Sequence, residues 1–398
     1  MLRAAQAGAG MVRETPVLSS RTLSERAGGT VALKAENLQR TGSFKLRGAL
    51  SKLAALGEDC AAGVVTGSAG NHAQAVAQAA RAQGLPCDVF MPETAPIAKV
   101  EVARGLGAHV QMIGVTVDDA LEAARERAAR DDRIAFVHPF EDAHVIAGQG
   151  TLGLELLEQV PNLARAIVPV GGGGLISGVA IALKSARPEI EVLGVQVASC
   201  APIRASLDAG KPVPVTSALT IADGIAVKRP GELTLQLIGR WVDEMAVVEE
   251  DEVAEAMAFL LERAKLVVEG AGAVGVAALL AGRLSASPTG TTVVVLSGGN
   301  VDAGLLAEVA RRHESQSGRR LVLLASLPDR PGSLARLLAL VGELGANLLD
   351  VGHIREGFDL HVRETAVQLV LETRGSGHAE RVAGAVREAG YAEPRALR

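Results

Sequence analysis

The chain has 398 residues, of which 48% are hydrophobic, 21% charged and only 2% aromatic, and its formal net charge is −5. That length exceeds one ordinary core and implies two or three domains. The acidic balance, with no Lys/Arg cluster interleaved with aromatics, excludes a nucleic-acid or anionic-membrane surface.

In chain order, "MLRAAQAGAGMVRETP" lacks the continuous apolar core of a signal peptide, and "TVALKAENLQ" reads as a strand. "RTGSFKLRGAL" is a turn that opens a helix, with Lys45 at its start. From there short β-branched runs alternate with longer Ala/Leu-rich helical patterns: "AGVVTG" before a helix from Asn71 to about Gln83, "CDVFMP" before "PIAKVEVARGLG", "HVQMIG" before "VDDALEAARERAARD", and "ARAIVPVGGGGL" before "ISGVAIALKSARP". "EVLGVQV" and "TTVVVLSGGN" add two more strands. This alternation predicts an α/β fold, a parallel sheet wrapped by helices with ligands at the carboxyl ends of the strands. "VVEGAGAVGVAALLAG" is interrupted by Glu269 and rich in glycine, which predicts a buried helix rather than a membrane span. After about Asp302 a helix "AGLLAEVARRH" runs into "ESQSGRR", a polar connection that reads as a linker over 314–320. The tail, 321–398, reads strand, helix, strand, strand, helix and a short final strand, the β-α-β-β-α-β order of a ferredoxin-like α+β unit. Its first helix carries an apolar stripe at Leu334, Leu337, Leu338, Val341 and Leu344. Cys60, Cys87 and Cys200 have no CxxC spacing, so neither a disulfide framework nor a zinc site is expected, and a reducing cytoplasm is the natural compartment.

Three loops and one lysine carry the candidate chemistry. Lys45 is either a solvated lysine in a first helical turn or an amine that forms a Schiff base with a cofactor aldehyde. "VTGSAGNHAQ" sets a glycine-rich turn before a helix, where backbone amides suit a carboxylate, with Asn71 and His72 at the entrance. The plainer alternative is an ordinary strand–helix turn with His72 as a packing residue. "PVGGGGLISG" places Gly171, Gly172, Gly173 and Gly174 between a strand and a helix, so backbone amides and the helix dipole can hold a phosphate. It is neither a Walker loop nor a GxGxxG fingerprint. In "VVVLSGGNVD", Ser297 either faces a heterocyclic nitrogen or caps a helix. His138 and His144 lack a partner spacing for metal, and no metal site is assigned.

The ordered blocks "SFKLRGA", "SAGNHAQ", "AGQGTLGLE", "VGGGGLISG", "LTIADG", "VVEGAGA" and "LSGGN" resemble the fold-type II (tryptophan-synthase-β-like) pyridoxal-phosphate enzymes, and among them the threonine ammonia-lyases, or threonine dehydratases. The resemblance covers about residues 12–312. It implies two subdomains of parallel and mixed sheets with helices, a catalytic domain over 1–313 with a smaller subdomain at about 48–150 inserted in the larger one. The tail resembles an ACT domain, a regulatory module that often binds amino acids. Carried onto this chain, the resemblance implies that Lys45 bonds pyridoxal 5′-phosphate as a Schiff base, with Phe44 packed beside it. Asn71 would meet the ring hydroxyl, Ser297 the pyridine nitrogen, and Gly171, Gly172, Gly173, Gly174 and Leu175 the phosphate. Ser68, Ala69, Gly70, Asn71 and His72 would line the substrate-carboxylate loop. A cation site is known for relatives; the sequence fixes no ligands for it, and Glu269 and Asp223 are the acids to consider.

The implied activity is deamination of L-threonine to 2-oxobutanoate and ammonia, with L-serine as a second substrate. To attack, Lys45 needs a lowered pKa. A neutral hydroxyl at Ser297 withdraws electrons less than a carboxylate partner would bring about, which favours prompt β-elimination. Related serine racemases carry a serine where this chain has Ala69, so racemisation is expected to be weak. Three alternatives stay open: an L-serine dehydratase or racemase, a β-replacement enzyme of the same fold, and a non-catalytic amino-acid sensor. In the tail, "DRPGS" and "GANLLD" suggest an effector site at Gly332, Ser333 and Asn347, or else a dimerisation module with no ligand. A single ACT-like unit implies a homotetramer or homodimer.

Overall fold

The apolar runs before Asp302 become two sheets in the computed structural model, which describes residues 1–216, 219–393 and 395–396. Strands β1 (Val17–Ser19) and β2 (Thr30–Ala35) begin the larger sheet, which the chain then leaves. β3 (Gly63–Gly67), β4 (Cys87–Met91), β5 (His109–Met112) and β6 (Ile134–Phe136) make a separate all-parallel sheet in the order β5-β4-β3-β6. The chain returns with β7 (Leu163–Pro169), β8 (Glu191–Val197), β9 (Glu244–Val248) and β10 (Thr291–Leu296), completing the order β1-β2-β10-β7-β8-β9. Only β1 runs antiparallel to its neighbour. Strands buried on both faces need unbroken apolar runs, and "TTVVVL" of β10 is buried at every residue.

Each sheet has its own core. Leu152, Leu156, Val168, Ile176, Val179 and Val293 pack in the larger lobe, and Leu46, Leu50, Val64, Val76, Val89 and Met91 in the smaller one. With so few aromatics, alanine does much of the packing: Ala73, Ala75, Ala77, Ala79 and Ala80 of the helix Asn71–Gln83 are all buried. The glycine-rich helix Gly270–Leu280 is buried from Gly270 to Leu279, as its sequence predicts. Among the described residues no helix is long and apolar enough to cross a membrane.

Contacts divide the chain into Met1–Val301 and Asp302–Arg398. The second unit begins with the helix Ala303–Gln316, then β11 (Arg320–Pro328), the helix Ser333–Glu343, β12 (Asn347–Ile354), β13 (Phe358–Asp359), β14 (Glu364–Glu372), the helix Ser376–Glu388 and β15 (Arg395–Ala396). β14 lies between β11 and β12, antiparallel to both. Leu337 and Val341 of the apolar stripe are buried with Val367, Leu369, Leu371, Val382 and Val386. Two expectations differ from this. The first three residues of the segment read as a linker are helical, because the helix runs through Glu314–Gln316 and stops where Gly318 takes φ +67 and Arg319 N–H returns to the Glu314 carbonyl at 2.8 Å. The short final strand does not join the three-stranded sheet; it pairs with β13 in a two-stranded ribbon.

Candidate active site

Adjacent parallel strands β2, β10 and β7 bring three separate loops to one edge of the larger sheet, the edge where open α/β sheets bind ligands. β2 leads to Thr41–Lys45, β10 to Ser297–Asn300 and β7 to the four glycines. The first two loops are laced together. Phe44 N–H donates to the Ser297 carbonyl at 3.1 Å, Gly299 N–H to the Gly42 carbonyl at 2.9 Å, and Asn300 Nδ2 to the Thr41 carbonyl at 2.8 Å. Gly42 is required here: it sits at φ +72, and a β-carbon on it would collide with Asn300 Oδ1.

Lys45 starts the helix Lys45–Leu56, with its Nζ donating to the Pro139 carbonyl at 2.8 Å and lying 5.3 Å from the centre of the Phe44 ring. Pro139 belongs to the loop after β6, so the smaller sheet holds the amine that the larger sheet presents. Burial pulls the pKa of Lys45 down to about 8, against the opposing pull of the Glu269 carboxylate. Glu269 is 4% exposed and accepts from Asn71 Nδ2 at 2.7 Å. Asn300 Nδ2 in turn donates to Asn71 Oδ1 at 2.7 Å. Burial, reinforced by Asp223, pushes Glu269 up to about 7, while Asn71, Lys99 and Lys45 oppose the rise. Two buried acid–base groups that feel each other's charge thereby have their pKa values moved toward neutral pH from opposite sides.

Ser68, Ala69 and Gly70 precede the helix Asn71–Gln83, where Gly70 N–H donates to Ser68 Oγ at 3.2 Å. His72 is buried and its Nε2 meets the Val137 carbonyl at 2.9 Å. Burial, helped by the Lys45 charge, holds its pKa near 3, so His72 orients the loop and does not titrate near neutral pH.

The glycine loop fits a phosphate. Among the described residues no acceptor takes the amide hydrogens of Gly171, Gly172 or Gly173, and the helix Gly174–Ala186 behind them directs its positive end at the same place. Side chains are excluded: a β-carbon would lie 2.9 Å from Ile225 Cα at Gly171, would collide with the Phe140 ring at Gly172, and would lie 2.8 Å from Ile238 Cδ1 at Gly173, whose φ is +89. Leu175 is buried in the first turn of that helix. Ser297 is 3% exposed, and its hydroxyl has no partner among the described residues, which suits a heterocyclic nitrogen supplied from outside the chain.

Lys45, Asn71, the glycines and Ser297 each lie in a contiguous motif, which is how the sequence offers them as candidates. Glu269 had no expected role beside the lysine, and neither Asn300 nor the loop Val137–Glu141 was expected in the site. That loop supplies the Pro139 carbonyl, sets Phe140 against Gly172, and uses Glu141 to cap the helix Glu232–Trp241, accepting from Thr234 Oγ1 at 3.0 Å. The available signal was Glu269 itself, a lone acid inside an apolar glycine-rich stretch. In the second unit Gly332 takes φ +84 before the helix Ser333–Glu343. Ser333 N–H donates to the Arg330 carbonyl at 3.3 Å, and Asn347 Nδ2 to Glu372 Oε2 at 3.1 Å.

Over residues 9–298 the chain matches the family described as pyridoxal-phosphate dependent enzyme. It is 47% identical over 382 residues to the L-threonine ammonia-lyase of Thermotoga maritima, covering 96% of this chain and 94% of that one. A solved threonine deaminase (from T.th.) superimposes with a TM-score of 0.70 at 42% identity, covering 76% of this chain and 97% of its own. Maize serine racemase gives 0.74 at 36% identity, covering 79% and 97%. The chain belongs to the pyridoxal-phosphate dependent enzymes, in the family of the L-threonine ammonia-lyases.

Proposed function

We propose that this enzyme deaminates L-threonine to 2-oxobutanoate and ammonia by β-elimination of water, and L-serine to pyruvate in the same way. The observation that carries the reading is the Lys45 amine, brought to a pKa of about 8 beside a phosphate cradle and a carboxylate loop. Pyridoxal phosphate, when bound, supplies a π system that accepts electrons as a proton leaves the substrate Cα. Lys45 would hold its aldehyde carbon, Asn71 its ring hydroxyl, Ser297 its ring nitrogen, and the amides from Gly171 to Leu175 its phosphate.

The chain's own groups then divide the work. The loop from Ser68 to His72 binds the substrate carboxylate at a helix start. Lys45 Nζ, neutral in a large fraction near pH 8, takes the Cα proton. Glu269, with its pKa near 7, is close enough to Lys45 to influence its protonation and is tied to Asn71. The water lost from Cα and Cβ is regained when ammonia leaves, so the net change exchanges an amino group and a β-hydroxyl for one keto oxygen. Ser297 is a hydroxyl and not a carboxylate, which favours elimination over a long-lived carbanion, and Ala69 offers no second acid on the opposite side of the substrate.

The second unit we read as an ACT-like regulatory domain that binds an amino acid through the start of the helix Ser333–Glu343, near Gly332, Ser333 and Asn347. Its effector would act by favouring one quaternary state of a homo-oligomer. The test is release of 2-oxo acid and ammonia from L-threonine and L-serine, with Lys45→Ala as control. Equal yields of 2-oxobutanoate and ammonia, lost in the variant, support the reading. Recovery of D-serine from L-serine as the main product would replace it with a racemase.

A further inference from the structure

One ion pair joins the two lobes of the first unit beside the buried network. Lys99 lies on the helix Ile97–Gly105, which follows β4 of the smaller sheet. Asp223 heads the short turn Asp223–Ile225, in the segment between β8 and β9 of the larger sheet. Lys99 Nζ donates to Asp223 Oδ2 at 2.7 Å across 124 positions of sequence. The lysine side chain is 14% exposed and the aspartate 56%.

The turn that carries Asp223 covers both halves of the site. At Gly224 a β-carbon would come 3.5 Å from Glu269 Oε1 and 3.8 Å from Asn71 Nδ2, and Ile225 Cα is the atom that a side chain at Gly171 would strike. From below the turn is held firmly: Ile221 N–H donates to Glu250 Oε2 at 3.0 Å, and Ala222 and Ile225 are buried. Its outer residue is the one tied to the other lobe. Both charges also reach Glu269, Asp223 raising its pKa and Lys99 lowering it.

We propose that the Lys99–Asp223 ion pair is a latch that closes the substrate chamber between the two lobes, with both residues positioning the roof turn over the bound amino acid and keeping water out. The inference rests on the amino-acid reading above. A half-exposed pair is a weak bond, and a latch that must open at each turnover needs to be weak. Excluding water strengthens the polar contacts made inside the closed site.

The experiment uses the holoenzyme and two readouts, steady-state kinetics with L-threonine and the rate at which hydroxylamine strips the cofactor. Lys99→Met and Asp223→Asn should each raise KM for threonine roughly threefold to fivefold, with kcat changed less than about twofold, and should speed the hydroxylamine reaction by a similar factor. The charge-exchanged variant Lys99→Asp/Asp223→Lys should recover most of both losses, and Asp223→Glu should lie near wild type. Unchanged hydroxylamine rates in both single variants would overturn the latch. So would a loss of kcat in Asp223→Asn that the exchange does not restore, since that would make Asp223 a direct substrate contact. If wild-type enzyme releases no 2-oxobutanoate while the hydroxylamine rates follow the expected pattern, the substrate reading fails and the latch stands.

Discussion

Lys45 and Arg47 are two residues apart in one helix, yet their charges meet opposite fates. Arg47 is 2% exposed and fully partnered: it bonds both oxygens of Glu36 at 2.8 and 2.9 Å, both oxygens of Glu155 at 2.6 and 2.9 Å, and Thr151 Oγ1 at 3.1 Å. Lys34 joins the cluster through Glu155 at 2.6 Å, the Thr15 carbonyl and Gln159. Burial alone would raise the Glu36 pKa, but Arg47 holds it below the ordinary value, so the carboxylate stays ionised. Lys45 has the Pro139 carbonyl as its hydrogen-bond partner and Glu269 as a more distant charge, and both groups drift toward neutrality. The helix is anchored by charges with complete partners and made reactive by charges without them.

The largest effect that would break this contrast is at the reactive end. Lys45→Ala should lower deamination by roughly 10⁴-fold or more, while urea unfolding of the apo-protein shows no loss of stability, because a desolvated amine is removed. A matching loss of stability would mean that Lys45 is structural, like Arg47. At the anchored end, Arg47→Met should cost about 3–5 kcal/mol of stability by leaving the buried Glu36 carboxylate without its ion-pair partner, with retained lysine reactivity in whatever protein remains folded. A change under about 1 kcal/mol would refute the anchoring role. Smaller than either is the effect at the cradle: Gly172→Ala should weaken cofactor binding about 10- to 100-fold, a cost of roughly 1.4–2.7 kcal/mol, read as an equilibrium Kd, and Phe140→Leu in the same chain should restore part of it.

The smallest and most diagnostic effect is a slope. His72 near 3 and His138 near 4, both lowered from 6.5 first by burial, stay unprotonated in the folded chain when the unfolded chain has taken up two protons. Glu269, raised from 4.5 to about 7, holds one proton in the folded chain that the unfolded chain has released. Near pH 5.5 the net is one proton more on the unfolded chain, so stability should fall about 1.4 kcal/mol per pH unit of acidification. Glu269→Gln removes the opposing contribution and should about double the slope. An unchanged slope would mean that Glu269 titrates normally and the contrast with the Arg47 cluster is false.

What the sequence made legible follows from contact range. The alternating pattern, the buried glycine-rich helix, the glycine cradle and Ser297 are properties of contiguous stretches and could be read directly. Glu269, Asn71 and Asn300 form one hydrogen-bonded chain, but Asn71 is 198 residues from Glu269 and 229 from Asn300, and no local period announces such a partnership. The loop Val137–Glu141 was hidden for the same reason, since its value lies in a backbone carbonyl and in a ring set against a distant glycine. In the second unit the helix Ala303–Gln316 overran a polar stretch that composition alone marked as loop. There the left-handed Gly318, and not the serines and glutamine before it, decided where the helix ends.

The loop from Gly171 to Gly174 offers backbone alone, and three of its four positions meet a neighbour closer than 3.0 Å if any side chain is added. Descendants of this chain therefore have almost no room to vary there: drift at those codons is nearly all loss. Under the proposed function, novelty in what the enzyme accepts has to arise elsewhere, at Ala69 and the turn that carries Asp223, where side chains exist to be exchanged. The fold thus separates heritable chemistry from adjustable preference, and a directed-evolution library aimed at new amino acids is best confined to the second set.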